Sequence, residues 1–268
     1  MSDGPAAASP GVRGRAPLRP PVFEIGLKGY LYGAAAVRLA VAADRLAAEH
    51  DVAIVFDPQA VDIAAVAAAT SHLLVFAQHV DPVTIGRGVG AVLAEAVREA
   101  GAQGVLLNHS ERRLTLADLR RTIERAKEVG LATLVCADSP EEAAAIAMLG
   151  PDIVLAEPPE LIATGRSTAT AMRDFVERSI DLVRRVDPSV LVMCSAGIRT
   201  ARDAADMMRL GVDGTGSTSG ILKASDPVAQ MRAMVESVAE TWREIHPGDP
   251  AARSATERPT TVGRRGQP

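Results

Sequence analysis

The chain has 268 residues, 47% of them hydrophobic and 23% charged, a balance that builds one large or two small globular domains and excludes a disordered or collagen-like chain. The formal net charge is −4, and because both ends are basic the acidic excess lies on the body between them, which argues against nucleic acid and against an anionic membrane as partners. No apolar run reaches the roughly 18–20 residues that a bilayer crossing needs, and the N-terminus lacks the apolar centre of a secretory signal, so the expectation is a cytoplasmic protein.

Residues 1–21 hold five prolines and residues 246–268 hold four. Such stretches bury too little apolar surface to offset their ordering entropy, and both read as flexible tails around one domain at 22–245. Within it, apolar runs alternate with helical repeats. VFEIGLK (22–28) precedes a helix at 34–50. VAIVF (52–56), HLLVFA (72–77) and GVLLN (104–108) follow, then a helix at 116–130. ATLVCA (132–137) leads to a helix at 140–150, IVLAE (153–157) to one at 173–186, and VLVMC (190–194) and VDGTG (212–216) precede the last helix at 227–245. The eight strands are continuously apolar, as in a parallel sheet covered on both faces. Eight β-α units in this length fit a closed α/β barrel, with an open doubly wound sheet as the alternative. Cys136 and Cys194 lack metal-ligand spacing and read as reduced, buried strand residues.

A barrel of this kind carries its chemistry where the strands end and the β-to-α loops begin. Polar residues stand there: Lys28, Gln78, His79, Asn108, His109, Asp138, Glu157, Ser195 and Ser217 to Ser219. Lys28 closes an apolar strand and suits an anion or a developing oxyanion, although a strand-end lysine that only reaches water would look the same. His109 can act as an electrophile or proton shuttle, or be a satisfied loop histidine. Glu157 ends IVLA and is followed by two prolines; partial desolvation there makes a carboxylate a better base, while a glutamate capping a helix is the plainer reading. Ser195-Ala196-Gly197 and GTGSTSG (214–220) are small-residue loops after the last two strands, where barrels of this kind often present amides to phosphate.

AQHVDP (77–82), GVLLNHSERRL (104–114), VCAD (135–138), AEPPELIATG (156–165), AGI (196–198) and SGILKASDP (219–227), in this order, resemble the triosephosphate isomerase family, and its short archaeal-type branch most, from about residue 23 to 226. The resemblance implies the TIM-barrel fold and aldose–ketose isomerisation of D-glyceraldehyde 3-phosphate and dihydroxyacetone phosphate through an enediolate, in glycolysis and gluconeogenesis. By resemblance, Glu157 is the base. His109 is a neutral imidazole whose charge is suppressed by a helix N-terminus, an arrangement for which this family is itself the standard worked case. Lys28 stabilises negative charge with Glu111 beside it, and 158–165 form a closing lid. Gly165, Ser195, Ala196, Gly197, Ser219 and Gly220 cradle the phosphate. No cofactor and no metal are implied, and the partners are a small phosphorylated sugar and a second copy, as a dimer or tetramer.

Four positions depart from the family pattern. Gly26 stands for an asparagine, Val89 for a threonine that reaches that asparagine from a neighbouring subunit, Ser195 for a glycine, and Ala163 for a lid glycine. Gly26 is expected to open space at the mouth. A larger phosphosugar such as a tetrulose phosphate therefore stands as an alternative substrate, and a phosphate-ligand binding protein without catalysis stands as a third reading.

Overall fold

The computed structural model describes residues 18–158 and 173–248. Eight parallel strands close into a barrel in chain order: β1 (Val22–Gly26), β2 (Ala53–Asp57), β3 (Leu74–Ala77), β4 (Gly104–Leu107), β5 (Ala132–Ala137), β6 (Ile153–Ala156), β7 (Leu191–Met193) and β8 (Gly214–Gly216). β1 pairs with both β2 and β8. The open sheet is thereby excluded.

Side chains alternate across each strand. Phe23, Ile25 and Leu27 face out and pack with the helices in the main core. Val22, Val55, Leu74, Phe76, Leu134, Ile153, Leu155 and Met193 fill the barrel interior. A side chain at Gly104 would stand 2.3 Å from the Phe76 ring, so the large residue of one strand fills the space left by the small residue of the next.

Helices flank the strands: α1 (Gly33–His50), α2 (Ile63–Ala69), α3 (Ala94–Glu99), α4 (Leu116–Glu128), α5 (Pro140–Ala147), α6 (Arg173–Val186), α7 (Ala201–Met208), the short α8 (Ser219–Leu222) and α9 (Pro227–Ile245). Their starts follow capping chemistry. Thr115 accepts the Asp118 amide and Ser139 the Glu142 amide, each at 3.1 Å. Thr200 and Asp203 form a reciprocal capping box, and the Asp226 carboxylate accepts from the amides of Val228 and Ala229. Trp242 of α9 is buried and stacks on His246 with ring centroids 3.8 Å apart. Both cysteines are buried and unbridged.

Four strands, β1, β4, β6 and β7, stop short of their apolar runs, the first three beside residues of the site. β1 ends at Gly26, two residues before Lys28, whose φ is 47°, and β4 ends before Asn108, whose φ is 59°. Left-handed backbone cannot continue a ladder. β6 ends at Ala156, and Glu157 follows with its amide donated to the Ala137 carbonyl at 2.8 Å.

Among the described residues, no helix is long and apolar enough to cross a membrane.

Candidate active site

The C-terminal ends of the strands surround a cavity of about 440 Å³. Lys28 from the end of β1, His109 from the loop after β4 and Glu157 from the end of β6 all line it, with Glu111, Ser195, Ala196, Gly197 and Ser219. A second cavity, of about 480 Å³, opens at the opposite end of the barrel among Leu18, Lys127, Asp152 and Leu191. Its lining holds no histidine, and barrels of this kind carry their chemistry at the strand C-termini.

Lys28 is held in a backbone conformation that costs a non-glycine residue about 1–2 kcal/mol. Its surroundings fix it there: the Lys28 carbonyl accepts from Gln59 Nε2 and, at 3.0 Å, from Gln78 Nε2, and Gln78 also donates to the Asp57 carbonyl at 2.9 Å. The Lys28 ammonium donates to Glu111 Oε1 at 2.6 Å and lies 3.2 Å from His109 Nε2. That contact keeps the Glu111 carboxyl below the usual range.

His109 sits in a turn closed by the Arg112 amide on the His109 carbonyl at 2.7 Å. The Glu111 amide donates to His109 Nδ1 at 3.1 Å. An amide can only donate, so Nδ1 carries the lone pair and Nε2, facing Lys28, carries the proton. Burial, and after it the charge of Lys28, lower the imidazole pKa from 6.5 to about 4. The expected cause, a helix N-terminus, is replaced: the next helix begins only at Leu116, and burial, the neighbouring ammonium and one turn amide keep the ring neutral.

Asn108 braces this turn. Its side chain accepts the Leu114 amide at 3.0 Å and donates to the Cys136 carbonyl at 3.0 Å and to Glu142 at 3.3 Å. Arg113 ties the same turn to Asp138 and Glu142. Asparagine tolerates the left-handed backbone that aims His109 into the mouth.

Burial pushes the Glu157 carboxyl up from 4.5 to about 8, with the Glu24 charge adding to the rise and Lys28 opposing it. A carboxyl poised near neutrality suits proton abstraction from carbon.

On the far side of the mouth, Ser195, Ala196 and Gly197 follow β7, and Gly197 has φ 79°, which only glycine adopts freely. The Ser195 hydroxyl is buried with no hydrogen-bond partner among the described residues. Ser219 lines the cavity where α8 begins. Gly220 sits behind it: a side chain there would stand 2.6 Å from the Ser217 hydroxyl and 2.7 Å from the Ile198 carbonyl. Gly165 and lid residues 159–165 lie outside the described residues. His79 lines the cavity and bonds Asp81 at 3.0 Å. Among the described residues, no group of three His, Cys, Asp or Glu side chains could hold a metal ion.

Two acidic lining residues stand outside the expected set: Glu24, inside β1, and Asp57, the last residue of β2. Period-two counting back from Lys28 through Gly26 reaches Glu24, an acid on an inward face that ought to be apolar. The expected space at Gly26 is taken, since a side chain there would stand 2.4 Å from Glu24 Oε1.

The sequence model of the family described as triosephosphate isomerase matches residues 27–238. Curated relatives named triosephosphate isomerase include one from Methanosarcina barkeri, 39% identical over 220 residues (81% of this chain, 99% of the relative), and one from Methanoculleus marisnigri, 41% identical over 220 residues (80% and 97%). A triosephosphate isomerase structure from Bartonella henselae superposes with a TM-score of 0.64 at 18% identity, covering 82% of this chain and 99% of its own, a likeness of fold alone.

Proposed function

The chain belongs to the triosephosphate isomerase family, and we propose that it interconverts D-glyceraldehyde 3-phosphate and dihydroxyacetone phosphate by moving a proton between adjacent carbons. The observation that carries this reading is the convergence of Glu157, His109 and Lys28, from three different strands, on one cavity, with the carboxyl raised to about 8 and the imidazole lowered to about 4.

The Glu157 carboxylate takes a proton from the carbon next to the carbonyl, and the electron pair moves onto the carbonyl oxygen, giving an enediolate. His109 Nε2–H and the Lys28 ammonium donate to the oxygens on which the negative charge grows, and Glu111 orients Lys28. A neutral imidazole donor is not yet spent as an acid, so it can shift a proton between the two oxygens. Glu157 then returns its proton to the neighbouring carbon. No atom is gained or lost. Amides of 195–197 and 219–220, with Gly165 from the lid, hold the phosphate, and backbone donors explain how an acidic body binds an anion.

The four-carbon alternative drew its motive from open space at Gly26, which Glu24 occupies. The binding-protein reading sits poorly with a base and an electrophile both tuned toward their tasks. The same reading makes the protein a cytoplasmic homo-oligomer acting in glycolysis and gluconeogenesis. Tyr30, Ile85 and Val89 are 55%, 75% and 109% exposed, large apolar side chains on the loops after β1 and β3, where a second copy would cover them; light scattering should then give a multiple of the 28.0 kDa chain mass.

A coupled assay in both directions tests the activity. The wild type is expected to turn over both triose phosphates and Glu157→Gln neither, while the variant still binds a phosphate ligand. No turnover by the wild type contradicts the proposal, and equal turnover by the two proteins removes Glu157 as base.

A further inference from the structure

Glu24 and Asp57, which the proton transfer leaves unused, lie on the adjacent strands β1 and β2. Asp57 pairs with Gly26, two residues beyond Glu24 on the same inward face. Glu24 is 7% and Asp57 1% exposed, yet both line the cavity that holds Glu157 and Lys28.

The backbone around Glu24 is shaped to its carboxyl. A side chain at Gly26 would stand 2.4 Å from Glu24 Oε1, and one at Gly216 would stand 2.7 Å from Oε2. The carboxyl therefore fills the room of two missing side chains.

Neither Asp57 carboxylate oxygen has a hydrogen-bond partner among the described residues when both acids are ionised. The two carboxyls are close enough to bond each other once one of them carries a proton, and burial pushes both toward the acid form. Even with that proton shared, the pair remains rich in acceptors and short of donors. A buried acceptor beside a cavity calls for a donor from the ligand. An anion is excluded by the remaining negative charge, and a metal ion by the lack of a third ligand among the described residues and by the Lys28 charge that acts on Glu24. A neutral hydroxyl, which brings a donor without a charge, fits the pair.

We propose that Glu24 and Asp57 form a hydroxyl-binding subsite in the cavity floor, with one proton held between them, Glu24 accepting a hydrogen bond from a hydroxyl of the bound phosphosugar and Asp57 positioning Glu24. The subsite rests on the phosphosugar reading above for its ligand class. Its Glu24 carboxyl lies where a side chain at position 26 would begin, so specificity is set from one pleat deeper in the barrel.

Calorimetric titration with glycerol 3-phosphate and with inorganic phosphate tests it without turnover. Both ligands carry the phosphate, and only the first carries hydroxyls on carbon. Glu24→Val combined with Asp57→Ala is expected to weaken glycerol 3-phosphate about tenfold or more, the scale of one lost hydrogen bond, and to change phosphate affinity by less than about twofold. Asp57→Asn, whose amide can give Glu24 the donor that the proton supplies, should keep glycerol 3-phosphate within about threefold of wild type. Equal weakening for both ligands, or no change for either, overturns the subsite. If thermal melting shows that the double variant does not fold, Glu24→Ala must give the same split between ligands, and its absence overturns the proposal equally. Wild type that binds glycerol 3-phosphate more tightly than phosphate but fails the coupled assay would sink the isomerase reading and leave the subsite standing.

Discussion

The Lys28 ammonium lies 3.2 Å from His109 Nε2, although both atoms are hydrogen-bond donors once the Glu111 amide has claimed Nδ1. Two donors held so close leave a place for an oxygen that accepts from both, and such an oxygen is most stabilised when it carries negative charge. Glu111 at 2.6 Å balances the ammonium from the other side.

Lys28→Met removes a charge that holds the imidazole down. The His109 pKa should rise from about 4 while staying below 6.5, because burial is the larger cause and persists. Proton-detected nitrogen NMR of the imidazole reads this shift directly. Turnover should fall by about 10²–10³, the usual effect of losing one donor to an oxyanion. An unchanged His109 titration would mean that the ammonium does not govern the ring.

Glu157 sets a distinctive pH dependence. Its raised pKa means that the protein without substrate holds it largely protonated at pH 7, so kcat/KM should climb with pH through a midpoint near 8. His109, with a pKa of about 4, should add no inflection between pH 5.5 and 7. A plateau already reached by pH 6 would place the base outside the desolvated environment described.

The same burial makes Glu157 a cost to folding in alkali. A carboxyl whose folded pKa lies above its unfolded value contributes fully below pH 4.5, and the contribution is lost as pH rises through about 8. At about 1.4 kcal/mol per pH unit, the loss amounts to several kcal/mol by pH 9. Glu157→Gln should therefore gain stability relative to wild type between pH 5 and pH 9, measured by urea unfolding. A difference that stays constant with pH contradicts the raised pKa.

Asn108 should matter beyond its size. Asn108→Ala removes bonds to the Leu114 amide, the Cys136 carbonyl and Glu142, and places alanine at φ 59°. Unfolding should become easier by about 2–4 kcal/mol. Asn108→Gly, which relieves the backbone but not the lost bonds, should recover about 1 kcal/mol of that.

Most of the barrel was legible because continuous apolar runs and helical repeats carry a periodic signal. β5 (Ala132–Ala137) has the expected bounds, and the observed α1 and α9 closely match the expected helices. Lys28, His109 and Glu157 were legible as polar ends of apolar strands, and the resemblance runs through the motifs of the last two. The left-handed turns at Lys28 and Asn108 were not, since nothing in a Lys or Asn codes alone for positive φ; the glutamines that clamp the Lys28 carbonyl come from the loops after β2 and β3. Glu24 and Asp57 were hidden for a different reason. Each interrupts or closes an apolar run by one residue, and only the barrel's register brings them together. The cause of the neutral imidazole also depended on contacts, because burial and an ammonium 81 positions away in the chain act where a helix terminus was expected.

The most direct test follows the proton itself. Dihydroxyacetone phosphate incubated with the protein in D₂O and monitored by NMR should yield glyceraldehyde 3-phosphate carrying deuterium at its second carbon, with Glu157→Gln slower by about 10³ or more. Product formed at wild-type rate by Glu157→Gln, or no product and no deuterium incorporation by the wild type, would contradict a carboxylate at the end of β6 acting as the base.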